Sequence, residues 1–114
     1  MCDLKKKDYP IVYVSDAFSY LTGYESDEVI GKNCRFLQAP GGKVRAKSTR
    51  TYVDRDTIRR MRRAVEKNAE VQIEVVNFKK DGQSFVNILS IIPVRWKSRD
   101  YNYSVGFQCD KDEC

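Results

Sequence analysis

The sequence contains no histidine among its 114 residues. That removes the usual base of Ser-His and Cys-His catalysis and the commonest metal ligand. Its four cysteines stand at positions 2, 34, 109 and 114, a spacing that matches no zinc pattern. Metal-centred and thiol-hydrolase chemistry are therefore not expected. The chain also lacks a long apolar run and a signal-peptide pattern. A membrane helix is not expected, and the expected setting is the cytoplasm, the nucleus or both, where a reducing environment leaves thiols free. No G-x-G-x-x-G follows a strand, and Gly41-Gly42 lacks the Lys-Ser/Thr partner and helix context of a phosphate loop.

What is present is enough for one domain with a modest core. Hydrophobic residues make up 41% and charged residues 32%, and the formal charge is +5. That balance favours acidic or phosphorylated partners without establishing nucleic-acid binding. Ile11 to Ser15, after Pro10, reads as a short strand. Asp16 is placed to cap a short helix carrying Ala17, Phe18 and Leu21, with Gly23 as its stop. Ser26 is placed to cap a second turn ending at Gly31. Residues 39–53 are polar, basic and read as loop. Ile58, Met61 and Val65 recur at three- and four-residue spacing, which predicts a helix over about 54–68, capped by Asp54 or Asp56. Strands are predicted at about 70–79, 84–95 and 101–110, the first two joined at Lys80-Asp81-Gly82. The pattern is α+β: an antiparallel sheet with helices on one face. Met1 directly precedes the strand-like Cys2 to Leu4, so the expectation is a single domain over 1–114 whose N-terminal cap has been truncated.

Asn77 and Asn87 stand out because strands disfavour Asn and both lie in apolar runs. The segment Gly31-Lys32-Asn33-Cys34-Arg35-Phe36-Leu37-Gln38 stands out more. It resembles the signature of LOV domains, the blue-light branch of the PAS fold. The resemblance extends from Pro10-Ile11-Val12-Tyr13 through Leu21-Thr22-Gly23-Tyr24 to Gly106-Phe107-Gln108-Cys109. With Ser48-Thr49-Arg50 and Asn77-Phe78-Lys79-Lys80, it is nearest to small fungal photoreceptors of the Vivid and Envoy type.

The resemblance implies a five-stranded antiparallel PAS sheet with helices on one face enclosing a flavin. It implies that Cys34 bonds to the flavin C4a carbon after blue light, reversibly, with N5 gaining a proton. Asn77, Asn87 and Gln108 match positions facing the polar edge of the ring, which suits side chains that both donate and accept. Asn33 and Gln38 match contacts to the ribityl chain. Arg35 and Arg62 match phosphate partners, and guanidinium geometry fits phosphate. Val12, Val14, Leu37, Val65, Leu89 and Ile91 are the expected apolar walls, and Ile11 matches a position that tunes how long the adduct lasts. An apolar pocket without histidine is expected to hold Cys34 as a thiol. Gln108 can serve either protonation state of N5 by rotating its amide, because a buried donor facing a donor costs about 1–3 kcal/mol.

The long basic stretch Ala39 to Val53, with Lys43, Arg45, Lys47 and Arg50, suits a second phosphate and an adenosine, so FAD is the expected cofactor with FMN accepted in its place. Strand alternation turns Val76, Phe78, Val86, Ile88, Ile92, Tyr103, Val105 and Phe107 away from the flavin side. That face is the expected signalling surface, for a second copy in light or for a related LOV or PAS protein. Cys2 or Cys114 is a candidate for an intermolecular disulfide. The other readings are a PAS module that only mediates protein contacts, a flavin-dependent oxidoreductase, and a nucleic-acid module. The oxidoreductase lacks any visible second-substrate site. In the nucleic-acid module the aromatics would need to interleave with the basic residues, and they do not. Neither turnover chemistry nor direct nucleic-acid binding is expected.

Overall fold

The computed structural model describes residues 1–42, 44 and 52–113. Strand β1 (Cys2–Asp3) is followed by helix α1 (Asp16–Thr22), helix α2 (Ser26–Val29), and two 3₁₀ turns at Cys34–Gln38 and Pro40–Gly42. Helix α3 (Arg55–Glu66) and strands β2 (Val71–Phe78), β3 (Ser84–Val94) and β4 (Tyr103–Asp110) complete the order. Among the described residues the strands form one antiparallel sheet in the order β1-β4-β3-β2. The α+β class and the three-stranded meander agree with the sequence reading.

The sheet has four strands where five were expected. The missing one is Ile11 to Ser15, of which Ile11 forms an isolated bridge to Cys2 while Val12 and Tyr13 only share backbone hydrogen bonds with Met1. Pro10 has no N–H to give a ladder. Ile11 satisfies its own backbone elsewhere: its N–H donates to the Lys32 carbonyl (2.8 Å) and its carbonyl accepts from Gly31 N–H (2.8 Å). The two short helices start one residue earlier than the sequence reading placed them. Ser15 caps α1 by accepting from Phe18 N–H, and Glu25 starts α2 with a capping box closed by Glu28. Gly23 ends α1 at φ +79, a left-handed position that favours glycine. Asp54 caps α3 by accepting from Asp56 N–H. Its most buried residue is Ala64, with Ile58 and Met61 packed on the sheet and Val65 half-buried.

The β2–β3 connection closes through Lys79 N–H to the Gln83 carbonyl, with Asp81 accepting from Gln83 N–H and Gly82 at φ +91. Register fixes the two faces. Asn87 lies opposite Val75 and Asp110, and Leu89 lies opposite Ile73 and Gln108. Hence Ile73, Val75, Asn77, Asn87, Leu89 and Gln108 share the face that meets α3. The core forms two clusters. Val53, Ile73 and Val75 pack with Ile58, Met61, Val71 and Leu89 on the sheet. Ile11, Val29, Phe36 and Leu37 pack with Cys2, Val14, Phe18 and Tyr24 around the first 3₁₀ turn.

Candidate functional site

The first 3₁₀ turn is fixed from both ends. Asn33 is its cap: the side-chain oxygen accepts from Arg35 N–H (2.9 Å), and the amide nitrogen donates to the Asp8 carbonyl (2.7 Å). At the far end Phe36, Leu37 and Gln38 are buried, and Phe36 meets Tyr24 edge-to-face at 5.0 Å. Between them Cys34 opens the turn. A thiol on a short turn held by a cap and three buried neighbours is presented rigidly to whatever lies beside it.

The electrostatics around Cys34 depart from expectation. The neighbouring Cys2 thiol and the Arg35 guanidinium both act on Cys34. Together these outweigh desolvation and bring Cys34 down to about 7. Cys2, beside Cys34 and partly buried, is pushed the other way. The direction is opposite to the one expected of a thiol in an apolar pocket without histidine. Arg35 itself grips the Asp8 carboxylate with both terminal nitrogens. That pairing holds Asp8 below the usual carboxylate range.

The sheet supplies a second group of polar side chains. Asn77 is 4% and Asn87 1% exposed, which is unusual burial for amides. Asn87 Nδ2 donates to Asn77 Oδ1 (2.9 Å) and to Gln108 Oε1 (3.1 Å), while Asn87 Oδ1 accepts from Cys109 N–H (3.2 Å). Asn77 Nδ2 donates to the Val76 carbonyl (3.0 Å). The three amides, one from each long strand, thus form a connected row on the helix-facing side. Such a row carries donors and acceptors side by side, the pattern that a pyrimidine edge requires. A cationic group beside the 3₁₀ turn and apolar side chains on the sheet add the remaining requirements of a flavin. The residues present fit that cofactor.

A model of the PAS domain family matches residues 1–111. The fungal photoreceptor Vivid, in its photo-excited crystal structure, superposes with a TM-score of 0.93 and 64% identity, over 96% of this chain and 74% of that one. The chain is a LOV domain of the PAS family. Its likeness extends to the light-state dimer of Vivid, at TM-score 0.92, 64% identity and the same coverage of 96% and 74%. It is also 47% identical over 110 residues to the blue light receptor lreA of Aspergillus flavus, covering 96% of this chain but 13% of that receptor. The LOV domain therefore spans about an eighth of that longer relative.

Placed in this LOV domain, the sequence-selected residues divide. Cys34, Asn33, Arg35, Leu37 and Gln38 occur together on the 3₁₀ turn. Asn77, Asn87, Leu89 and Gln108 occur together on the sheet, and Ile91 shares their face. Ile11 is buried at the base of the turn with Val14 packed on its cluster. Val12 is 37% exposed and belongs to neither core cluster. Arg62 is on the exposed side of α3, one residue from Met61. Arg50, with Arg45 and Lys47, lies outside the described residues, as does Cys114. Asp8 escaped the sequence reading, and Cys2 was singled out there only for an intermolecular disulfide. Asp8 ends a lysine run that looks like solvated surface, and Cys2 comes near the 3₁₀ turn because β1 is stitched to β4 and Ile11. Neither local pattern nor spacing carries that information.

Proposed function

We propose that this domain is a flavin-dependent blue-light sensor in which Cys34 is the light-reactive thiol and FAD the natural cofactor. The observation that carries the reading is the rigidly presented Cys34 on the 3₁₀ turn, joined in one small domain to the buried Asn77–Asn87–Gln108 row. When bound, the flavin supplies blue-light absorption and an acceptor carbon for the thiol.

The chain does the rest. Asn77, Asn87 and Gln108 orient the polar edge of the cofactor. Asn33 and Gln38 hold the ribityl chain, and Arg35 and Arg62 take the phosphate. Arg35 exchanges Asp8 for that phosphate, because both are anions that a guanidinium grips with two N–H donors. Leu37, Leu89, Ile91, Val14 and Val65 exclude water from the ring. Cys34 gives up its proton as its sulfur reacts. Gln108 then rotates its amide, and this breaks the bond its Oε1 accepts from Asn87 Nδ2. β4 carries the change to its outward residues. The domain works by photochemistry and does not turn over a substrate. Its output is association, with a second copy of the chain in light. The light-state dimer of Vivid, 64% identical to this chain, supports that reading.

The test is absorbance of the purified, flavin-loaded protein before and after blue light. A structured blue band that bleaches and returns in darkness is expected; a band unchanged by light overturns the reading. Mass spectrometry of the released cofactor checks the second element. FMN alone, from cells that contain both flavins, overturns the FAD assignment.

A further inference from the structure

We infer that the tip of the β3–β4 hairpin, with the lysine run bonded beside it, docks this domain on an anionic phospholipid surface.

The tip presents an indole to solvent and holds it in place. Trp96 is the only tryptophan of the chain and is 62% exposed. Asn102 clamps its backbone from both sides: Trp96 N–H donates to Asn102 Oδ1 (2.9 Å), and Asn102 Nδ2 donates to the Trp96 carbonyl (3.0 Å). Asn102 N–H donates to the Val94 carbonyl (3.1 Å), which ties the clamp to the end of β3. Lys97 follows at φ +50, a left-handed position uncommon for residues other than glycine, and Ser98 Oγ accepts from Asp100 N–H (3.1 Å).

A lone exposed ring is ordinary on a protein surface. The charge around this one is not. The Lys97 ammonium lies 5.8 Å from the centre of the indole, and the Arg95 guanidinium lies 4.2 Å from the centre of the Tyr101 ring. The start of the chain adds further cations. Leu4 N–H donates to the Asn102 carbonyl (2.9 Å), and Lys5 Nζ stands 3.6 Å from the Asp100 carboxylate. Residues 3–7 and 95–100 therefore form one surface, with six cations against two carboxylates, a surplus that is most of the formal +5 of the whole chain. Asp8, next in the sequence, is already gripped by Arg35. Lys5, Lys6, Lys7, Arg95, Lys97 and Arg99 are all exposed.

The chemistry of the patch selects the partner. An indole has an apolar body and one polar N–H, and it sits at the boundary between acyl chains and headgroups. Lysines and arginines clustered beside it meet the negative charge of anionic lipids. A nucleic-acid strand needs successive rings on which to stack its bases. Here Arg95 already covers Tyr101, which leaves a single ring free.

The experiment mixes the full chain with vesicles of phosphatidylcholine alone and of phosphatidylcholine with added phosphatidylserine. Sedimentation measures binding, and the emission of the sole tryptophan reports its surroundings; neither readout uses the flavin, so the result stands whatever becomes of the sensor reading. Binding to the phosphatidylserine vesicles alone is expected, with a blue shift of the emission and weakening by salt. Trp96→Ala is expected to lose the binding while melting like the parent. The exposed double variant Lys6→Gln, Lys7→Gln is expected to bind about tenfold or more weakly. No binding to phosphatidylserine vesicles at low salt overturns the proposal, as does binding without a blue shift or binding undiminished in Trp96→Ala. A short single-stranded DNA bound more tightly than those vesicles assigns the patch to nucleic acid and likewise overturns it.

Discussion

Cys34→Ala removes one sulfur and leaves the cap of the 3₁₀ turn intact, because Asn33 bonds to backbone at Arg35 and Asp8 and not to the thiol. The variant is expected to retain flavin and its absorption while losing all reversible bleaching. Bleaching that persists with the parent's dark recovery shows that another group reacts. Asp8 gives a pH prediction. Its carboxyl is held below the ordinary value of 3.8 by Arg35, so its folded form binds the proton less readily than its unfolded form. The stabilisation is fully present above 3.8 and is lost as pH falls through the lower folded value. Thermal midpoints of the apoprotein and of Asp8→Asn should therefore differ near neutrality and converge in acid. A gap that widens in acid shows that the pairing is not what holds Asp8. At this scale the sequence is legible where side-chain type and surroundings clash. Asn77 and Asn87 were visible because an amide in an apolar strand needs a reason. Asp8 and the place of Cys2 beside the 3₁₀ turn were not, since each arises only through folding.

In the proposed mechanism the signal passes through the 3₁₀ turn and β4. Gln108 lies in β4 opposite Leu89 and is linked to β3 by its bond to Asn87. Gln108→Leu keeps bulk and removes the rotating amide. Bleaching should remain, while the light-induced change in hydrodynamic size is lost; a full change in the variant routes the signal through another element. The loss of one buried hydrogen bond is expected to cost about 1 kcal/mol in stability. Long elements were readable from pattern: α3 from its apolar spacing, and β2, β3 and β4 from alternation and the Lys80-Asp81-Gly82 turn. Short elements were misread by a residue or more, because Ser15 and Glu25 win their caps through hydrogen bonds that a propensity ranking does not separate from Asp16 and Ser26. The strand expected at Ile11 failed for a tertiary reason. Its backbone partners are the loop residues Gly31 and Lys32.

At the scale of the whole molecule, the sheet has one face against the helices and one turned outward. Register confirms that Val76, Val86, Ile88, Ile92, Tyr103, Val105 and Phe107 share the outward face, and Phe107 is 59% exposed. Covering a large apolar side chain contributes about 1.5–3 kcal/mol, which favours association through this surface. Light-scattering mass of the flavin-loaded protein is expected to rise in blue light, and Ile88→Asp to remain monomeric. Asp would stand opposite Glu74 and weaken the sheet itself by like-charge repulsion, so Ile88→Lys, facing the same carboxylate, is the companion variant. Dimers formed equally by both variants place the interface elsewhere. The pairing of β1 with β4 has a different consequence. Cys2 meets Ser104 and Asp3 meets Tyr103, so the two ends of the chain are joined by a ladder two residues long. Joining them closes nearly the entire polypeptide into a loop, an entropic debt that so few hydrogen bonds scarcely offset. β1 is therefore expected to settle late in folding and to fray early. Amide exchange at Asp3 and Ser104 should run ahead of exchange in the β2–β3 ladder, and each opening carries the N-terminus away from the 3₁₀ turn.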